Sequence, residues 1–123
     1  MTSEFFQDCL QAYQETFWPI FVEHDDGVFL AFDEPIYLRW MQKAEGDKRL
    51  VEEIMNHRHI ADLLPKAVES PTHSLVIAFG ELLQDAWDAK LRRDFPTRRF
   101  CVSFPSEEQK NLTDYEITFY QLK

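Results

Sequence analysis

The period of apolar positions changes several times along this chain, and each change marks an element. From Ser3 to Trp18, "SEFFQDCLQAYQETFW", the residues Phe6, Cys9, Leu10, Tyr13 and Phe17 recur at steps of three and four. That spacing places them on one face of a helix. Ser3 is its expected cap, and Glu4 suits the positive N-terminal end. Pro19 disfavours helical backbone at Trp18 and ends the pattern. Next, "PIFVEHDDGVFLAF" sets two apolar runs around Asp25, Asp26 and Gly27. This reads as a tight hairpin in which Asp-Gly supplies the positive backbone angles. Ile20 and Val22 share one face of its first strand; Phe21 and Glu23 share the other.

"DEPIYLRWMQKAEG" returns to helical spacing, with Asp33 as cap, Pro35 in the first turn and Gly46 as the stop. Asp47 caps a further helix, "KRLVEEIMN", and "IADLLP" makes a short turn ending at Pro65. The strongest pattern is "SPTHSLVIAFGELLQDAWDAKLRRDF". Here Ser70 is the expected cap and Pro71 the first helical residue. Leu75, Phe79, Leu82, Leu83, Ala86 and Trp87 form a broad apolar face. Glu81, Gln84, Asp85, Asp88 and Arg92 form the polar one. The run "LVIAF" is apolar all round, which predicts a helix passing through the core. Gly80 interrupts it at a cost of about 1 kcal/mol relative to Ala. Close approach of another element would explain the glycine; so would a tolerated defect. Arg92 and Arg93 complement the negative end of the helix.

The chain closes with "RRFCVSF" and "DYEITFYQL", which alternate as half-buried strands. Phe100, Val102 and Phe104 point one way on the first; Tyr115, Ile117 and Phe119 share a face on the second. The polar link "PSEEQKNLT" predicts a mobile loop. The fold class is therefore α+β, a single domain over residues 1–123. Its order is an N-terminal helix, a β-hairpin, two or three short helices, one long core helix and a C-terminal β-hairpin, with antiparallel sheet packed on helices. The pattern leaves open whether the two hairpins share one sheet.

Composition supports a packed core: 45% of residues are hydrophobic and eleven are Phe. Charge adds a different constraint. The net charge is −9, divided as −7 over residues 1–40, −4 over 41–89 and +2 over 90–123. Such a chain is repelled by phosphate backbones, so nucleic acid is not an expected partner. Acidity serves solubility, or it steers a basic protein partner. The start "MTSEFFQDCL" lacks the basic residues of a secretory signal, and no run approaches the ~18 apolar residues of a membrane span. A cytoplasmic protein without membrane contact is the expectation. Cys9 and Cys101 then read as reduced thiols filling the core, although a disulfide between them stays open. The sequon "NLT" at Asn111 carries no meaning without export.

Five carboxylates, Glu23, Asp25, Asp26, Asp33 and Glu34, cluster around the hairpin. They fail as a calcium loop. Counted from Glu23, the glycine falls at position five where the loop needs it at six, and the middle is a hydrophobic strand. Turn and cap roles account for Asp25, Asp26 and Asp33. What remains is an acidic rim beside Phe29, Tyr37 and Trp40, a docking surface in which those rings are the anchors. "NHRHIAD" brings His57, His59 and Asp62 close in sequence. On a helix His57 and His59 do not face each other, and they chelate together only from extended or loop backbone; His59 and Asp62 converge on a helix. The simpler role is contact with the last carbonyls of a helix, so no metal is expected. "KLRRDFPTRR" offers Arg98 and Arg99 as an anion site, or as internal partners for the acidic half.

Phosphate-binding loops, dinucleotide fingerprints, nucleophile elbows and zinc-protease motifs are all missing. No catalytic residue and no cofactor are expected. Three classes of function follow. The first is an acidic protein-binding module, an inhibitor or immunity-type protein masking a basic toxin or nuclease. The second is a small-molecule, anion-binding protein or minor enzyme using Arg98 or Arg99. The third is a structural homodimeric subunit.

Overall fold

A computed structural model describes residues 2–122. Helix α1 spans Ser3–Phe17. Its cap is Thr2 rather than Ser3: the Thr2 hydroxyl accepts from the Phe5 N–H at 3.1 Å. Strands β1 (Val22–His24) and β2 (Gly27–Phe29) pair antiparallel in a two-stranded sheet with Val22 opposite Phe29. The positive angles of the turn fall on Asp25 (φ 49°) and Asp26 (φ 67°), not on the glycine. Asp tolerates that region because its short side chain bonds locally. Gly27 answers a different need: a Cβ there would stand 2.7 Å from the Phe29 ring.

Helices α2 (Glu34–Lys43) and α3 (Lys48–Met55) are capped by Asp33 and Asp47, as their sequences dictate. Strand β3 is short, Arg58–His59, and runs straight into helix α4, Ile60–Leu63. Helix α5 covers His73–Asp94. Strand β4 (Phe100–Ser103) and strand β5 (Glu116–Gln121) follow, with a 3₁₀ turn at Leu112–Asp114 between them. The second sheet has the order β3-β5-β4 and is antiparallel throughout. The two hairpins therefore lie in separate sheets, and β3 supplies a strand the apolar pattern did not show.

Two further expectations change. The cap of α5 is Thr72, whose hydroxyl accepts from the Leu75 N–H, and Pro71 precedes it. The buried stripe of α5 is Val76, Gly80, Leu83, Trp87 and Leu91, while Leu75 and Leu82 are exposed. The helix lies along the core instead of passing through it. Gly80 is explained by close approach, because a Cβ there would overlap the Phe104 ring. The end of the link before β5 carries local bonds: the Asn111 N–H donates to the Asp114 carboxylate at 3.1 Å, and the Tyr115 hydroxyl accepts from the Gln109 N–H at 2.9 Å.

Val28, Ile60, Leu83, Trp87, Tyr115, Ile117 and Phe119 make up most of the main core. A second cluster, Phe29, Tyr37 and Val51, fills the space between β2, α2 and α3. Both cysteines are free thiols, with Cys101 half-buried and Cys9 exposed. Cys9 is not core material, because only the end of α1 reaches the body of the protein.

Candidate functional site

The acidic hairpin is less bare than its sequence. All five carboxylates are exposed. Glu23 accepts from the Arg98 guanidinium at 2.7 Å, and Asp25 pairs with Lys48 at 3.5 Å. Asp33 is occupied at the start of α2, where it accepts from the Ile36 N–H. The proposed anchors fare differently. Phe29 and Tyr37 are 1% and 5% exposed, so both rings belong to the second core cluster and offer nothing to a partner. The reason is that β2 is covered on both faces. Burial, with the Asp25 carboxylate nearby, raises the pKa of the Tyr37 phenol. Trp40 is half-buried with the Lys43 ammonium 5.1 Å from its ring.

Arg98 and Arg99 border an open cleft of about 540 Å³ with Arg92, Asp88 and Phe100. Its charges are partly committed. Arg92 bonds Asp88 at 3.0 Å, and Arg98 both pairs with Glu23 and lies over the Phe95 ring. For Arg98, internal pairing with the acidic half is what the structure shows.

The largest surprise is α1. Phe6, Leu10, Tyr13 and Phe17 form one line along it, as their spacing requires. Only Phe17 is buried. Phe17 packs edge-on against Phe79, Tyr13 stacks on Phe17 at 4.7 Å, and the Trp87 indole donates to the Thr16 carbonyl. Beyond this joint the line continues into solvent, with Phe6 57% and Leu10 47% exposed. Phe5 on the adjoining flank is equally open, and Ile20 past the helix end is 85% exposed. A groove of about 430 Å³, walled by Cys9, Tyr13, Leu64 and Phe79, runs beside it. The helix holds Glu4, Asp8 and Glu15 and no Lys or Arg. Sequence spacing identifies this face but cannot say that its first two turns have nothing to pack on.

A second group comes together around β3. Extended backbone puts His57 and His59 on one side and Arg58 on the other. His59 lies directly opposite Glu116 in the β3–β5 ladder. Among the described residues, His57, His59 and Glu116 bring three ligand atoms within 4.8 Å of one another. The His57 and His59 Nε2 atoms stand 3.6 and 3.4 Å from the Glu116 Oε1. The pairing of the histidines is the extended-backbone case; Asp62 takes no part in the group, and Glu116 does. Glu116 sits 57 positions after His59 in the chain, and only strand register reveals it. On the opposite side, the Arg58 guanidinium donates to the Met55 and His57 carbonyls, and its burial lowers its pKa.

No protein-family model, curated protein or solved structure matches this chain. No helix among the described residues is long and apolar enough to cross a membrane.

Proposed function

We propose that the protein is a binding module for a basic protein partner, and that the outer turns of α1 are its docking surface. The observation that carries this reading is the apolar line Phe6–Leu10–Tyr13, which begins in the core at Phe17 and runs outward uncovered. Such a helix lays its apolar face into a partner's groove, read through residues three and four apart. Glu4, Asp8 and Glu15 flank the line with no Lys or Arg on the helix itself, while Lys66 borders the groove beside Tyr13 and Lys90 and Arg93 share a cleft with Glu15; the first forty residues carry −7. A groove rimmed with Lys and Arg is the complementary surface. An inhibitor or immunity-type role, in which the partner is a basic toxin or nuclease, is the form of binding that this charge suits.

This reading moves the anchors from Phe29, Tyr37 and Trp40 to Phe6, Leu10 and Tyr13. The hairpin carboxylates Asp26 and Glu34 then act as distant steering charge.

The test is capture from cell lysate at low salt, comparing the natural chain with Leu10→Asp and Phe6→Ser. One stoichiometric basic protein, released by a salt step and lost with both substitutions, is the expected result. Equal capture by the substituted chains would move the surface elsewhere. Self-association at micromolar concentration that the same substitutions abolish would replace the reading with a homodimeric subunit.

A further inference from the structure

We propose that His57, His59 and Glu116 form a binding site for a divalent first-row transition ion, of which zinc is the reference case.

Hydrogen bonding sets the state of His59. Its Nδ1 lies 2.8 Å from the Thr113 carbonyl oxygen. A carbonyl can only accept, so Nδ1 carries the proton and donates it there. In the neutral ring the lone pair is then on Nε2, the atom that faces Glu116 Oε1 at 3.4 Å. Two acceptors would then confront each other, so the pair calls for either a proton on Nε2 or a metal ion between them. Fixing the tautomer through Nδ1–H to a backbone carbonyl is the arrangement metal-ligating histidines adopt.

The spacing of the group also has the size that a metal ion needs. A shared proton draws N and O to about 2.7–2.9 Å. Bonds of about 2.0–2.1 Å in a tetrahedral site instead put neighbouring ligand atoms roughly 3.3–3.4 Å apart. The two contacts to Glu116 are 3.4 and 3.6 Å. The two imidazole nitrogens lie at most 4.8 Å apart, and His57, its side chain 43% exposed, has room to turn inward while His59 keeps its bond to Thr113.

The donor set selects the class of ion. Two imidazoles and one carboxylate suit zinc and its first-row neighbours, whereas calcium and magnesium favour oxygen-only sites. Three protein ligands leave a fourth position for water or a ligand from outside.

The backbone beneath the site is held firmly. Asn56, fully buried, precedes His57 and bonds the backbone of both β2 and β5. The Ile60 N–H, just after His59, donates to the Tyr115 carbonyl, just before Glu116. Both ends of the ligand-bearing segment are thus fixed to β5.

The test uses chelator-stripped full chain, titrated with zinc by calorimetry at pH 7.5 and with cobalt by visible absorption. One ion per chain and cobalt bands of a low-coordinate site are expected. Glu116→Gln and His59→Ala each weaken zinc binding by about 100-fold or more, since loss of a mere outer partner already costs about 10–100-fold. Asp62→Asn and His73→Gln leave it unchanged. Glu116 is exposed, so Glu116→Gln retains the fold, checked by circular dichroism. No stoichiometric binding at tens of micromolar zinc would overturn the proposal and leave a proton as the only bridge. Affinity unchanged in both ligand variants would overturn it as well, as would half an ion per chain with dimer formation.

Discussion

Glu52 on α3 and Asn56, the residue that caps the end of that helix, stand one turn apart and hold the two sheets to each other. The Glu52 carboxylate accepts from the Val28 N–H of β2 at 2.9 Å and from the Gln121 N–H of β5 at 3.0 Å. Asn56 accepts from the Leu30 N–H at 3.0 Å and donates to the Val28 and Phe119 carbonyls at 2.9 and 3.3 Å. The sheets are separate ladders, so these two buried side chains satisfy strand groups that would otherwise lack partners.

Removing either side chain strands buried backbone groups. Glu52→Ala leaves the Val28 and Gln121 N–H groups without their acceptor, at about 1–3 kcal/mol each. A loss of roughly 3 kcal/mol in urea unfolding is expected, with Asn56→Ala similar. A loss under about 0.5 kcal/mol would mean that water replaces the carboxylate and that the joint is wet.

Gly80→Ala sets two effects against each other. Alanine favours the helix by about 1 kcal/mol. The added methyl enters the Phe104 ring, and overpacking costs about 1–3 kcal/mol. Net destabilisation in thermal unfolding is expected, relieved when Phe104→Leu is added. Equal effects with and without Phe104→Leu would show that the ring is not what excludes the methyl.

The outer turns of α1 make the opposite prediction. Phe6→Ser and Leu10→Ser remove exposed side chains, so stability should stay within about 0.5 kcal/mol while partner capture disappears. A core-sized loss of about 2–5 kcal/mol would place these residues against a packed surface instead.

Tyr37 predicts an alkaline response. Burial, reinforced by Asp25, raises its pKa in the folded chain. The unfolded phenol ionises first, near pH 10. The associated stability is complete below that pH and is lost as pH rises through the folded pKa. The fall in unfolding free energy above pH 10 should therefore be shallower in Tyr37→Phe. Parallel slopes for the two proteins would contradict it.

Local chemistry accounts for much of the fold. The caps Asp33 and Asp47 and the hairpin around Asp25 and Asp26 follow from short-range preferences readable in a few neighbouring residues, whereas α2 stops earlier than Gly46, at Lys43, with Glu45 (φ 54°) the first left-handed residue after it. Tyr115, Ile117 and Phe119 are all fully buried because alternation alone puts them on one face. The alternation of "RRFCVSF" likewise makes a strand, though its buried member is Phe104, just past the strand end. The sites were legible only in part. The spacing of His57 and His59 states the condition for convergence, extended backbone, but two residues are too few to display a period.

By itself, then, the sequence determined the α+β class, the order of its main elements, the apolar line of α1 and the charge imbalance, because each is written in neighbours a few residues apart. Only the tertiary structure decided which apolar faces are covered, that Glu23 meets Arg98, and that Glu116 lies across from His59. Those facts depend on strand register and chain packing, which bring together residues more than fifty positions apart: His59 and Glu116 through a backbone ladder, Glu23 and Arg98 through their side chains.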